Sequence, residues 1–354
     1  MELECKTNFG ETKERWSTFW KGESSRPLLY AIRPKKGVTP IKKPRPYDCA
    51  FGDIDQVISQ TLGWADTHEF MGDAIPSFMV TFAPDHFAAL LGAEIKRNEK
   101  SRTNWADHFL DNLENVEIVF SKENPWWLKT VECVERFREQ CDGKLIITGT
   151  HLQGSLDCLA AMVGVQPILL EMAMVPEVVK VALKQVDLAM LEVRKSFSEI
   201  LETPRWGSLN RFGMYSEGIV DVPQCDISCM VSSEMFDEFE LSHLIHEIES
   251  TQNSIYHLDG PDALQHVESV CSIEKLDMIQ WMPGEGYYDE DWSELNEKID
   301  SLGKGQIFQS YYQLECEEIL NIWENYTSKK LFFQVSPSQC ESLLEVFGER
   351  NTAA

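Results

Sequence analysis

Short apolar runs alternate with longer amphipathic segments along most of the chain. Residues 144–150 (KLIITGT) form a run typical of a buried strand. Residues 176–201 instead place an apolar side chain at every third or fourth position, which predicts one long helix with a single buried face. Strands separated by helices in this way predict a parallel sheet built from β-α units. Apolar runs that predict strands occur at residues 27–32, 75–82, 144–150, 206–214, 254–258, 276–282, 306–311 and 331–336.

The number of apolar runs bears on whether the sheet is open or closed. Eight predicted strands with interposed helices favour a TIM-type (β/α)8 barrel over an open sheet. Residues 93–130 interrupt the rhythm with charged, Asn and Trp residues, so we expect an insertion that caps the barrel. No linker or low-complexity tract divides the sequence. We therefore predict an α/β fold in which residues 1–354 form one barrel domain with an N-terminal extension and a capping insertion.

Composition and charge argue against several classes of function. Hydrophobic residues make up 43% of the 354 positions, enough for one large core. The 58 acidic and 32 basic side chains give a net charge of -26, which repels nucleic acids and anionic membrane surfaces. The N-terminus is polar and no apolar run is long enough to span a bilayer, so we expect a cytoplasmic protein. The ten cysteines include no CxxC pair and are expected to be reduced.

One segment departs from this acidic character. Residues 35–45 (KKGVTPIKKPR) are basic and contain two prolines, which predicts an irregular loop. An exposed loop is the favoured interpretation. A binding site for an anion or an acidic partner is the alternative.

Polar residues follow the predicted strands at their C-terminal ends, where parallel barrels carry their active sites. The predicted catalytic residues are Glu217, His257 and Asp259, because a histidine and two carboxylates can move protons or hold a metal ion. Polar residues also collect at barrel mouths only to satisfy loops, and that interpretation stays open for each of them. His243 and His246, three apart on a predicted helix, are expected on a solvated face rather than on a metal. Residues expected to bind the substrate are His151, Gln153, Tyr215, Gln280, Trp281 and Tyr312.

Four segments carry a resemblance to a known superfamily. They are residues 15–27 (RWSTFWKGESSRP), 123–127 (ENPWW), 225–236 (CDISCMVSSEMF) and 256–260 (YHLDG). Together they resemble the uroporphyrinogen decarboxylase superfamily, and within it the methyltransferases that work with corrinoid proteins. The resemblance extends over most of the chain, and YHLDG is its most informative part.

The resemblance also implies where the chemistry differs. The decarboxylases hold a polycarboxylate with an N-terminal Arg-Gln-Ala-Gly-Arg pattern, which is absent from this sequence. The corrinoid-dependent methyltransferases bind zinc through His-x-Cys and a second cysteine near the last strand. Here His257 is kept, whereas Asp259 and Ser336 stand at the two cysteine positions. The zinc site is therefore altered or lost, and His257, Glu217 and Asp259 become the candidate ligands of a harder, more Lewis-acidic metal site.

The function implied by the resemblance is methyl transfer. The protein is expected to move a methyl group between a small methylated compound, of the methoxy-aromatic or methylamine type, and the cobalt of a corrinoid (cobalamin). Because the chain lacks the Asp-x-His-x-x-Gly motif of cobalamin-binding domains, a separate corrinoid-binding protein is expected to carry the cofactor. Two alternatives stay open: a barrel that binds a small ligand without catalysis, and a decarboxylase or lyase acting on a small carboxylic acid.

Overall fold

The structure is a computed structural model that describes residues 2–98 and 103–348, and within them helices surround a mostly parallel sheet. The α/β class predicted from the sequence is therefore confirmed. Residues 99–102 of the predicted insertion lie outside the described residues. The described strands are β1 (Leu28–Pro34), β2 (His68–Gly72), β3 (Ser77–Met79), β4 (Ile95–Asn98), β5 (Thr103–Ala106), β6 (Ile146–Thr148), β7 (Ser208–Leu209), β8 (Tyr215–Ser216), β9 (Val220–Asp221), β10 (Asn253–Asp259), β11 (Met278–Met282), β12 (Gly305–Phe308) and β13 (Leu331–Gln334).

The largest sheet contains seven of these strands, in the order β2-β1-β13-β12-β11-β10-β9. Its neighbours run parallel except β1 and β2, which pair antiparallel. The remaining strands form a parallel pair, β3 with β6, and two antiparallel pairs, β4 with β5 and β7 with β8. A hydrogen bond joins the β3-β6 pair to the β7-β8 pair. Thr148 Oγ1 of β6 donates to the carbonyl oxygen of Leu209 in β7 over 2.6 Å.

Helices cover the sheets between successive strands. In the described residues, no single helix has the length and apolar content of a membrane span. Only the pair of helices at Ser155–Val163 and Val165–Met174, which is bent by 113°, has them together. Short 3-10 helices occupy Asp226–Met230, Pro261–His266 and Ser310–Tyr312. The α-helices are α1 (Phe9–Trp20), α2 (Asp48–Phe51), α3 (Ile54–Thr67), α4 (His86–Leu90), α5 (Pro125–Cys141), α6 (Ser155–Val163), α7 (Val165–Met174), α8 (Pro176–Ile200), α9 (Thr203–Trp206), α10 (Ser233–Phe239), α11 (Leu241–Glu249), α12 (Val267–Cys271), α13 (Ser293–Ser301), α14 (Cys316–Asn325) and α15 (Pro337–Val346).

Two helices show how the local sequence sets their bounds. Helix α8 begins at a proline and buries the apolar face that the periodicity predicts, including Val179, Leu183 and Val186. Helix α15 begins after Ser336, whose hydroxyl accepts the Gln339 backbone N–H while the Gln339 side chain accepts the Ser336 N–H. Ser336 thus serves as a helix cap.

The predicted strand at 206–214 is wrong in its second half. The Asn210 side-chain oxygen accepts the backbone N–H groups of Phe212 and Met214, at 3.0 and 3.1 Å, and so turns the chain. The two short strands on either side of this turn pair as the antiparallel hairpin β7-β8. The apolar pattern of the sequence also does not predict strands β2 and β9. Strand β2 follows α3 without a break, and β9 has only two residues.

Side chains at the N-terminal ends of the strands form an apolar layer that we call the floor. It joins Phe9, Trp16 and Phe19 of α1 to Leu28, Ile75, Ile146, Leu209, Val220, Ile255, Met278, Ile307 and Phe332. Beside the floor, the buried Asp73 carboxylate accepts hydrogen bonds from Arg15 Nε at 2.7 Å and from Arg26 Nη1 at 2.6 Å. The N-terminal extension therefore closes this end of the strands.

Candidate functional site

A cavity of about 490 Å³ lies at the opposite, C-terminal ends of the strands. It is lined by polar groups from successive strand ends and by apolar walls that include Phe78, Phe212 and Trp105. Trp105 belongs to β5, within the predicted capping insertion. Its polar lining residues include His151, Gln153, Arg211, Gln224, Asp226 and His257.

His257 reaches the cavity because side chains alternate along β10. Tyr256 and Leu258 pack against the helices, while Ile255 lies in the floor. His257 and Asp259 share the face of Ile255 and lie further towards the C-terminal end. The parallel register places Gln280 of β11 opposite His257.

A hydrogen-bond network fixes the His257 ring. Gln280 Nε2 donates to the Trp281 carbonyl and to Gln309 Oε1, both at 2.8 Å, so its Oε1 is the acceptor of the His257 Nδ1–H. Burial first, and then the charge of Arg211, lower the pKa of His257 to about 3. The ring is thus neutral at ordinary pH and keeps its Nε2 lone pair for a ligand or proton.

Asp226 is held at the cavity mouth by backbone and side-chain bonds. Its backbone N–H and that of Ile227 donate to the buried Asp157 carboxylate at 2.8 and 3.1 Å. Its own carboxylate accepts from Gln224 Nε2 at 2.9 Å and from Gln153 Nε2 at 3.2 Å. Partial removal from water, together with the nearby charge of Asp259, raises the pKa of Asp226 above its usual range. Asp226 is exposed at the cavity mouth, and its carboxyl group carries a proton more readily than an isolated aspartate does.

Asp226, His257 and Asp259 together form a possible metal site. One ligand atom of each lies within 4.8 Å of the ligand atoms of the other two. One nitrogen and two carboxylate oxygens make a hard donor set, suited to Zn²⁺ and similar divalent ions. Burial raises the pKa of Asp259, and the charge of Arg211 opposes that rise.

A second polar network lies on the other side of Asp226. Gln224 Nε2 donates to Asp226, so its Oε1 is the acceptor for both His151 Nε2, at 2.9 Å, and Arg211 Nη1, at 2.7 Å. Burial and the charge of Arg211 lower the pKa of His151. His151 and Arg211 therefore lie on one continuous polar wall of the cavity.

Comparison with known proteins gives a structural relative only. No family model and no curated protein matches this sequence. Among solved structures, a methyltransferase from Methanosarcina mazei is similar with a TM-score of 0.61 and 11% sequence identity, over 95% of this chain and 98% of that one. The two proteins share a fold.

The structure brings together several of the residues predicted to form the site. His151, Gln153 and His257 line the same cavity, and Asp259 joins His257 through the possible metal site. Gln280 does not line the cavity. Its side-chain oxygen accepts a hydrogen bond from His257 Nδ1 and so orients the ring.

Glu217 and Tyr215, in contrast, lie away from this cavity. Glu217 is half exposed and pairs with Lys13 across 3.0 Å, where Lys13 belongs to α1 of the closed end. Tyr215 is buried in the floor, and its carbonyl accepts from Trp20 Nε1 at 2.7 Å. The physical reason is the hairpin: β8 runs antiparallel to β7 and returns the chain to the N-terminal end. The prediction that Glu217 shares a site with His257 is therefore corrected.

The other two aromatic residues predicted to bind substrate, Trp281 and Tyr312, do not line the cavity and pack against apolar neighbours instead. Trp281 alternates with Gln280 along β11, so its ring packs against Trp292 at a centroid distance of 4.9 Å. Tyr312 packs against Phe308. Its neighbour Tyr311 is the tyrosine that contacts Gln280, at 3.1 Å.

The predicted site lacks four residues that organise the cavity: Arg211, Gln224, Asp226 and Asp157. Asp226 falls in the CDISCMVSSEMF segment, which is the one signal in the sequence that pointed to it. Arg211 was assigned to the interior of a strand rather than to a turn.

A second histidine-carboxylate cluster lies between α8 and α11. Asp187 Oδ2 is 2.7 Å from His243 Nδ1 and 3.3 Å from His246 Nδ1. His243 is buried, whereas His246 is exposed. The expected solvated face therefore holds for His246 only.

Proposed function

We propose that this protein is a methyltransferase that moves a methyl group between a small methylated compound and the cobalt of a separate corrinoid protein. The observation that carries the proposal is the group formed by Asp226, His257 and Asp259 at one end of a parallel sheet, in a fold shared with a methyltransferase. The resemblance of the YHLDG segment to the corrinoid-dependent branch supports the same activity.

We also propose that the strands close into a (β/α)8 barrel. The support is the floor, in which side chains from β1, β6, β7 and β9 to β13 meet in one cluster although they belong to separate sheets. A sheet curved back on itself would bring these strand ends around one axis. In such a barrel the cavity is the usual place for catalysis.

The side chains of Asp226, His257 and Asp259 would hold a divalent ion, with zinc the first candidate. The donor set fits, because neutral His257 keeps a lone pair and the two carboxylates offer oxygens within 4.8 Å. A bound ion would act as a Lewis acid on the heteroatom that carries the methyl group. Without an ion, Asp226 is the group best suited to give that heteroatom a proton, because its pKa is raised.

The other residues of the cavity position and shield the reacting group. Gln280 keeps the His257 ring in one orientation, and Asp157 does the same for the Asp226 backbone. Phe78, Trp105 and Phe212 supply apolar walls that exclude water and so strengthen polar contacts to the leaving heteroatom.

The corrinoid must approach from outside. A corrinoid ring with its side chains is much larger than a cavity of about 490 Å³, so only the cobalt face of a docked partner can meet the methyl group. A corrinoid protein seated over the strand ends would close the cavity mouth at Asp226.

Methyl transfer to free cob(I)alamin tests the proposal. Purified protein is mixed with reduced cobalamin and a panel of methoxy-aromatic compounds and methylamines, and loss of the cob(I)alamin absorbance is followed. We expect at least one donor to react. If none reacts while a small ligand binds and is recovered unchanged, the protein is a binding barrel and the proposal is wrong.

Metal content is tested separately. Elemental analysis of protein purified without chelator should find about one divalent ion per chain, lost in His257→Ala. The matched control is His246→Ala, which removes a histidine from the other cluster and should keep the ion. Metal retained in His257→Ala and lost in His246→Ala would move the site to α8 and α11.

A further inference from the structure

The guanidinium group of Arg211 is only partly used by the protein. Its Nη1 donates to Gln224 Oε1 at 2.7 Å. Its Nε and Nη2 are buried, and among the described residues neither has a hydrogen-bond partner. Leaving buried, charged donors unpaired is costly, and burial accordingly lowers the pKa of Arg211. A ligand that satisfied both nitrogens would remove that cost.

The two free nitrogens specify the shape of the ligand group. Nε–H and Nη2–H lie side by side on one edge of the planar guanidinium, pointing in the same direction. The two oxygens of a carboxylate match this pair and accept both hydrogen bonds at once. Arg211 lines the cavity beside His151, so a carboxylate bound to it would lie inside the proposed active site. Its Nε and Nη2 are closed to solvent, so the guanidinium group would have to turn towards the cavity to meet the carboxylate.

The basic loop adds a second cation to the same cavity. Lys43, from the KKGVTPIKKPR segment, lines the cavity with Tyr47. Its Nζ lies 4.3 Å from the centroid of the Trp64 ring, and in the described parts of the chain no carboxylate forms an ion pair with it. The loop that interrupts the acidic sequence therefore contributes Lys43 to the wall of the cavity that Arg211 also lines.

We infer that Arg211, assisted by Lys43, binds the carboxylate of a methylated organic acid, which is the substrate class of this protein. The inference rests on the proposed function. It places the two ends of one small molecule: the carboxylate at Arg211 and the methyl-bearing heteroatom at Asp226, His257 and Asp259. Gln224 contacts both Arg211 and Asp226, so the two subsites share a wall. One edge of one arginine binds one carboxylate. The decarboxylases of the superfamily that the sequence resembles instead hold a polycarboxylate with an arginine-rich segment.

Paired acid and amide probes test the inference. Isothermal titration measures the affinity of 4-methoxybenzoate and of neutral 4-methoxybenzamide for the wild type and for Arg211→Gln. The control variant is Arg205→Gln, which removes an arginine that pairs with Glu202 and Asp142 on the surface. We expect the wild type and Arg205→Gln to prefer the acid by about tenfold or more, and Arg211→Gln to lose the preference.

Two further variants guard against a folding defect. Arg211→Lys keeps the charge without the paired edge, and Lys43→Gln removes the second cation, so each should reduce the preference for the acid less than Arg211→Gln does. If Arg211→Gln does not fold, these two variants decide the result. An acid-to-amide ratio near one in the wild type, a ratio unchanged in the Arg211 and Lys43 variants, or no saturable binding of 4-methoxybenzoate would each overturn the inference.

The methyl-transfer assay separates this inference from the proposed function. Selective binding of the acid through Arg211, with no donor reacting, would keep the carboxylate site and reject the methyltransferase. Transfer from the amide as readily as from the acid would keep the methyltransferase and reject the carboxylate site.

Discussion

The buried charged groups at the two ends of the strands differ in how many of their hydrogen bonds are satisfied. At the closed end, the Asp73 carboxylate is satisfied from within the chain, by Arg15, by Arg26 and by the Leu29 backbone N–H at 3.0 Å. At the open end, Arg211 leaves two buried nitrogens without a partner in the described residues. A complete set of partners indicates a structural role, whereas an incomplete set indicates a place for a ligand.

The same difference appears in the apolar packing. The floor is filled by Phe9, Trp16 and Phe19, and each of these side chains is almost completely buried. At the other end, a space of about 490 Å³ remains between the side chains. Substitutions at the floor should therefore cost stability, and substitutions at the cavity should cost activity.

The largest expected effect is on stability at the closed end. Asp73→Asn leaves two arginines without their buried carboxylate and should lower the free energy of unfolding by about 3–5 kcal/mol. Asp142→Asn removes an exposed partner of Arg205 and should cost less than about 1 kcal/mol. Urea unfolding followed by tryptophan fluorescence measures both, and equal losses would contradict the structural role of Asp73.

The next effect is on activity at the open end. His257→Ala should lower the rate of methyl transfer by about 10²-fold, because it removes a group that acts in the transition state. Its midpoint of urea unfolding should fall less than that of Asp73→Asn. A variant that loses stability and activity together would mean that His257 supports the fold.

Acid should weaken the closed end in a defined range of pH. Burial alone raises the pKa of Asp73, but Arg26 and Arg15 outweigh it and lower the pKa from 3.8 to about 2. A carboxyl group with a lowered folded-state pKa stabilises above its unfolded pKa, so this contribution, about 2 kcal/mol, is lost as the pH falls from about 4 to 2. The stability difference between wild type and Asp73→Asn should shrink over that range, and a constant difference would reject the assignment.

The smallest effect is expected at Glu217. Glu217→Gln breaks only the surface pair with Lys13, so it should change stability by less than about 1 kcal/mol and leave methyl transfer unchanged. Asp259→Asn is the matched change inside the cavity and should lower both metal content and activity. A large loss of activity in Glu217→Gln would restore the role that the sequence suggested for it.

Strand β10 shows how far the sequence can predict a site. Its apolar alternation and its polar end identify His257 and Asp259 as neighbours on one face, and the structure agrees because both follow from the geometry of one strand. Asp226 is different, since β9 has two residues and the 3-10 helix after it has no periodicity to read. It lies near His257 because Gln224 pairs with His257 through the backbone and the Asp157 carboxylate accepts the Asp226 N–H.

The sequence by itself determined the α/β class, the face of α8, the cap of α15 and the position of His257 at a strand end. These follow from local periodicity and from hydrogen bonds between residues close in the chain. Only the tertiary structure decided that Glu217 lies beside Lys13 at the closed end of the strands and that Arg211, Asp226 and Lys43 line one cavity. A two-residue hairpin strand reverses direction without an apolar pattern. Residues more than a hundred positions apart, such as Lys43 and Arg211, line one cavity only through the packing of the whole chain.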